Sequence, residues 1–187
     1  MVFLRLLLLS CTLLAVGCVP LTPVPPARPA GAAALAGLVG AWRAEDAGEA
    51  LELDIRAVPG AGRLTVEVRE RAADGAWKSE IHEVVAGDAT AGVRYRADDR
   101  SGWIPVRYAV AADGRLQLRF ADADALARAV ESGQIDGRVR RSGLIVEVDI
   151  AGNAGAIEAG FAAPAAEGWF GPPQYFVRMT EPGAAWK

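Results

Sequence analysis

Apolar and polar positions alternate with period two along most of this chain. Leu51, Leu53 and Ile55 are separated by Glu52 and Asp54, and after the turn Val58-Pro59-Gly60-Ala61-Gly62 the residues Leu64, Val66 and Val68 are separated by Thr65 and Glu67. Successive side chains of a strand point to opposite faces, so the pattern predicts strands with one apolar and one charged face, as in an antiparallel sheet wetted on one side. The alternation continues over 77–85, 93–97, 104–110, 116–120, 144–150 and 175–179. On the stretch 77–85 it puts Trp77, Ile81 and Val85 inward and His82 on the solvated face. Ala73-Asp74-Gly75, Ala86-Gly87-Asp88, the run Asp98 to Gly102 and Ala112-Asp113-Gly114 supply turns between these stretches. The fold class that follows is mainly β: an antiparallel meander of about eight or nine short strands closing into a barrel or a sandwich.

Two stretches break the alternation. In DADALARAVES, over 122–132, Asp122 is suited to capping a helix N-terminus, Leu126 and Val130 lie four apart, and Gly133 follows where a left-handed residue ends a helix. This segment predicts a helix. Over 154–163, Ile157 and Phe161 are also four apart, which fits a second short helix or a strand after the turn at Gly152-Asn153.

The N-terminal pattern is of another kind. Arg5 is the only charge before Arg28, and the run from Leu6 to Gly17 is apolar except for Ser10 and Thr12. A span of the hydrocarbon core needs about 20 apolar residues, so this run is short for a transmembrane helix and reads as a signal peptide over 1–17. It ends Leu14-Ala15-Val16-Gly17-Cys18, and this resembles the lipobox of bacterial lipoproteins, with Ala15 where leucine is most often found. The resemblance implies that the Cys18 thiol receives a diacylglyceryl group, that the preceding peptide is removed and that Cys18 becomes the acylated first residue. It also implies a partner, the membrane, reached through the lipid. Val19 in place of an aspartate implies outer-membrane anchoring facing the periplasm.

After Cys18 the sequence VPLTPVPPARPAGAAA is rich in proline, which fixes φ and removes backbone donors, so 18–34 is expected to be an extended tether holding the domain clear of the membrane. One β-rich domain over 35–182 follows, with a short tail over 183–187. Cys11 falls in the signal peptide and Cys18 in the lipidation site, so the domain is expected to fold without a disulfide.

Composition narrows the function classes. With 20 Lys and Arg against 23 Asp and Glu, the formal charge of −3 gives no basic field for nucleic acid. The single histidine, His82, stands between Glu80 and Glu83 in SEIHEVV, too few ligands for a closed metal site. Ser101 and Ser142 lie beside glycines but lack a nucleophile-elbow context. Gly60 and Gly62 lead into a strand rather than a helix, and so read as a turn rather than a dinucleotide loop. No cofactor, metal site or catalytic residue is expected, and the chain reads as a non-enzyme.

One motif bears on fold. LAGLVGAWRAED sets Gly40 and Trp42 at the start of the first strand, which resembles the Gly-x-Trp signature of lipocalin-like barrels. In that superfamily the tryptophan packs at the closed end and an arginine of the last strand lies across it; Arg178, in YFVRMTE, matches by position. Two binding roles stay open. The first is a carrier holding a small apolar ligand inside the barrel, which requires an internal cavity. The second is a structural or protein-interaction role in the envelope through exposed aromatics, for which Trp103, Trp169, Phe170 and Trp186 are the candidates.

Overall fold

The computed structural model describes residues 19–180 apart from 29, 45–50, 61, 73, 89 and 97–99. In chain order the elements are β1 (Pro20–Leu21), α1 (Ala32–Leu38), β2 (Gly40–Ala44), β3 (Leu51–Val58), β4 (Arg63–Arg71), β5 (Trp77–Ala86), β6 (Thr90–Arg96), β7 (Ser101–Val110) and β8 (Leu116–Phe120). There follow α2 (Ala123–Glu131), β9 (Gly137–Ser142), β10 (Ile145–Ile150), α3 (Ala154–Ala162), a 3-10 helix (Pro164–Trp169) and β11 (Gln174–Arg178).

Strands β2 to β8 form an antiparallel meander, and β11 pairs with both β8 and β2 to close an eight-stranded barrel. Register assigns the inner face. Trp42 stands opposite Leu53, Leu53 opposite Val68, Leu64 opposite Val84, Val84 opposite Val93, and Arg178 opposite Trp42. Directly paired residues share a face, so these positions line the lumen. Helix α1 caps the end where β2 begins; Leu35 and Leu38 join Trp42, Ile55, Leu64, Ala86, Ala91, Leu116 and Phe176 in one buried cluster. The turns at Gly60 and Gly62, with φ of 72° and 60°, and at Gly114, with φ of 82°, lie in the left-handed region that favours glycine.

The helix expected over 122–132 forms as α2: Asp122 accepts a hydrogen bond from the Ala125 amide at 2.7 Å, and Gly133 follows with φ of 73°. Over 154–163 the helical alternative holds, as α3 capped by Asn153.

The strand expected over 144–150 lies outside the barrel meander. It runs as β10, with Leu144 in the preceding turn 96% exposed, and pairs antiparallel with β9 and parallel with β1. Its apolar face, Val146, Val148 and Ile150, packs instead with Leu126, Ile157, Phe161, Trp169 and Phe170 in a second core. Alternation reports that one face must be covered, not which core covers it, and α2 carries the chain off the barrel wall.

The proline-rich segment departs further from expectation. The described residues from Val19 to Ala30 form a strap docked along the barrel rather than a free tether. Val19, Leu21 and Thr22 are 1%, 4% and 5% exposed. Thr22 exchanges both backbone hydrogen bonds with Trp103 at 2.9 Å, alongside the half of β7 that β8 leaves unpaired, and the Ala30 amide donates to the Ala86 carbonyl at 2.7 Å. Proline does make the segment extended, but an extended chain with apolar residues at intervals is also well suited to lie on a sheet edge.

Candidate functional site

The closed end of the barrel is built around Trp42. Its indole is fully buried and donates from Nε1 to the Leu38 carbonyl at 2.8 Å, tying the last turn of α1 to β2. The Arg178 guanidinium lies across the ring, 4.2 Å from its centroid, and donates to the carbonyls of Val39 and Gly37, each at 2.7 Å. Gly40 has φ of 135°, and a Cβ there would lie 2.6 Å from Arg178 Nη1. Glycine is therefore required twice over, for conformation and for room. The structure thus brings Gly40, Trp42 and Arg178 together into a plug. Its hydrogen-bonding groups are spent on the backbone, so its role is to hold the barrel shut.

At the open end, Val19 and Leu21 of the strap pack with Tyr95, Ile104 and Val106, with Val93, Leu118 and Phe120 alongside. These barrel residues all belong to the inner face by register. The strap therefore covers one side of the mouth with its own side chains. Three glycines mark its track: a Cβ on Gly102 would lie 2.8 Å from the Thr22 carbonyl oxygen, on Gly92 3.2 Å from Pro26, and on Gly87 2.8 Å from Pro26. Arg100, its side chain 8% exposed, donates to the Val19 carbonyl at 3.3 Å and to Asp149 Oδ1 at 2.8 Å, clamping the strap to the β9–β10 hairpin. A crevice of about 20 Å³ lies between Thr22, Pro26, Gly92, Ile157 and Phe161, outside the lumen and large enough for about one water.

Strand β5 is where the expected faces are reversed. Val66 stands opposite His82 and Leu64 opposite Val84, so His82 belongs to the inner face with Glu80 and Lys78, while Trp77 and Ile81 point outward. Ile81 is 70% exposed and Trp77 is 40% exposed. Val85, also outward, is buried because the strap passes over its partner Gly92. Hydrophobicity alone equates apolar with inside, and here an outer covering reaches only one end of the strand. His82 Nε2 lies 3.6 Å from Glu80 Oε2. Among the described residues no group of three or more His, Cys, Asp or Glu side chains gathers to hold a metal ion.

The pairing of β5 is also uneven. It runs against β4 from Trp77 to Val85, but against β6 only from Val84 to Ala86. Arg94, Tyr95 and Arg96 continue β6 in pairing with β7 and make no ladder with β5. From Trp77 to Glu83 the strand therefore presents an unpaired edge among the described residues. The sequence pattern did not reveal this edge, and its one visible signal was the pair of charged residues Lys78 and Glu80 just before Ile81, both exposed.

The aromatic residues expected as a surface patch are elsewhere. Trp103, Trp169 and Phe170 are 6%, 5% and 5% exposed. Trp103 lies under Arg94, 5.0 Å from the ring centroid, and Phe161 meets Trp169 and Phe170 inside the second core. That core is fastened to the barrel wall by Glu167 of the 3-10 helix, which takes hydrogen bonds from both Arg107 and Arg119. The Arg119 hydrogen bond is the main cause holding the Glu167 carboxyl below its ordinary range. Burial raises the Tyr108 phenol, with Asp88 adding to it, and the hydroxyl donates to the Gly87 carbonyl. Cys18 and Trp186 lie outside the described residues.

Compared with protein-family models, with curated proteins and with solved structures, the chain matches none.

Proposed function

We propose that this chain is a lipid-anchored protein of the bacterial envelope whose barrel serves as a rigid, non-catalytic interaction module. Cys18 is the lipidated first residue, and the domain faces the periplasm from the outer membrane. The observation that carries the module reading is that the closed end is filled and one side of the mouth is covered by the chain itself. Trp42, Leu116 and Phe176 occupy the closed end at 0%, 0% and 1% exposure, and Val19 and Leu21 cover one side of the mouth. Such packing favours recognition by the outer surface over carriage of a small molecule.

The lipobox resemblance supports the anchor, and the docked strap gives it a mechanical consequence. Val19, one residue after Cys18, is already fixed to the barrel and clamped by Arg100. Lipidation at Cys18 would then hold the barrel against the bilayer with no spacer. Each buried methylene contributes about 0.8 kcal/mol, so two or three acyl chains on one residue make detachment negligible. Cys18→Ala is expected to move the protein from the membrane fraction to the soluble fraction; a variant that stays membrane-bound contradicts the anchor.

A second reading, the carrier of a small apolar ligand, is favoured by one observation. The inward residues Leu51, Val66 and Val68 remain half-buried on the side of the lumen away from the strap. Saturable enhancement of an environment-sensitive apolar dye, lost on Val68→Asp, would select the carrier; its absence selects the module.

A further inference from the structure

We infer that the edge of β5 from Trp77 to Glu83 is a self-association site at which a second copy of this chain adds in antiparallel register. Unpaired strand edges are templates for strand addition, and folded proteins usually blunt them with charge, bulges or cover. Among the described residues no strand pairs with this edge, since the ladder with β6 ends at Val84 opposite Val93. The edge also carries apolar side chains toward solvent, Ile81 at 70% exposure and Trp77 at 40%.

The order of its side chains identifies the partner. Antiparallel pairing of two copies about a twofold axis through Ser79 sets Lys78 of each opposite Glu80 of the other. It sets Trp77 of each opposite Ile81 of the other. Opposite residues in a ladder share a face. The two ion pairs would therefore lie on the inner side of the joined sheet, where Lys78 and Glu80 project, and the two apolar pairs on the outer side, with Trp77 and Ile81. Glu80 is reachable for such a pair, its side chain being 57% exposed. Arg69, whose guanidinium lies 4.8 Å from the Trp77 ring centroid, would flank the apolar pair. An edge charged only to repel other chains would carry one sign, whereas this one is complementary to itself, as an isologous interface requires.

The test is sedimentation velocity of the purified full chain over a range of concentrations, in enough detergent that micelles far outnumber chains. The wild type is expected to show a reversible monomer–dimer equilibrium. Lys78→Glu opposes like charges at two symmetric places and is expected to weaken dimerisation ten-fold or more, with the thermal midpoint of the monomer unchanged. The double variant Lys78→Glu with Glu80→Lys exchanges the signs and is expected to restore the dimer. Recovery in the double variant separates a lost contact from a misfolded chain. A wild type that stays monomeric up to about 100 µM overturns the proposal, as does a dimer indifferent to Lys78→Glu or not restored by the double exchange.

Discussion

The two ends of one barrel follow opposite rules. At the closed end, an indole, a guanidinium and three backbone carbonyls satisfy one another around a glycine that leaves no spare volume. At the free end of β5, a strand pairs among the described residues with one neighbour only and turns Ile81 to solvent. The first arrangement is what a chain needs in order to fold. The second adds nothing to closure against β6, which Val84 to Ala86 already provide. The contrast sets a closed end whose polar groups are all spent internally against a stretch of β5 whose exposed side chains are available for recognition.

Substitutions should separate the two ends by size of effect. Trp42→Ala removes a fully buried aromatic and its hydrogen bond to α1, and is expected to cost about 3–5 kcal/mol in urea unfolding. A loss below about 1 kcal/mol would mean that the closed end is not the keystone.

The strap comes next. Gly102→Ala places a methyl 2.8 Å from the Thr22 carbonyl oxygen. The strap must lift or the strand must shift, at a cost of about 1–3 kcal/mol. Limited proteolysis should then cut between Leu21 and Ala30 in the variant and leave the wild type intact.

A smaller effect is expected at the rivet of the second core. Glu167 has its carboxyl held below the ordinary value of 4.5 by Arg119. A carboxyl lowered in the folded state contributes stability that is complete above its unfolded value and is lost as pH falls through the lower folded value. Glu167→Gln should therefore remove that contribution at neutral pH, a small loss because the pair is exposed to solvent, and flatten the acid limb so that variant and wild type converge as pH falls below about 4.5. The smallest effect belongs to β5: Ile81→Ser is expected to change monomer stability by less than about 0.5 kcal/mol, since the side chain is already in water.

Much of this architecture could be read from the pattern of the chain. The alternations over 51–55, 64–68 and 116–120 became barrel strands because their apolar faces had one place to go, the lumen. Asp122 and Gly133 marked the ends of α2 because capping is local chemistry. Gly40, Trp42 and Arg178 could be named beforehand, although the contact joins residues far apart in sequence. What stayed hidden depended on a second layer. Trp103, Trp169 and Phe170 look like surface aromatics until the strap, α2 and α3 are laid over them. The strap was hidden for the same reason, since proline content reports an extended backbone and is silent on what lies beneath it. On β5 the inner and outer faces were exchanged because Val85 is buried from outside and His82 is turned inward.

The chain from Val19 onward packs as part of the barrel, so that an anchor at Cys18 would hold the domain directly. Amide hydrogen exchange on the full chain tests it at Thr22 and Ala30, whose amides donate to Trp103 and Ala86. Protection at both that matches the Trp103 amide, which donates back to Thr22, is the predicted result. Exchange of Thr22 and Ala30 at the rate of an unstructured peptide, while Trp103 and the barrel amides stay protected, would return the segment to a free tether and contradict the account.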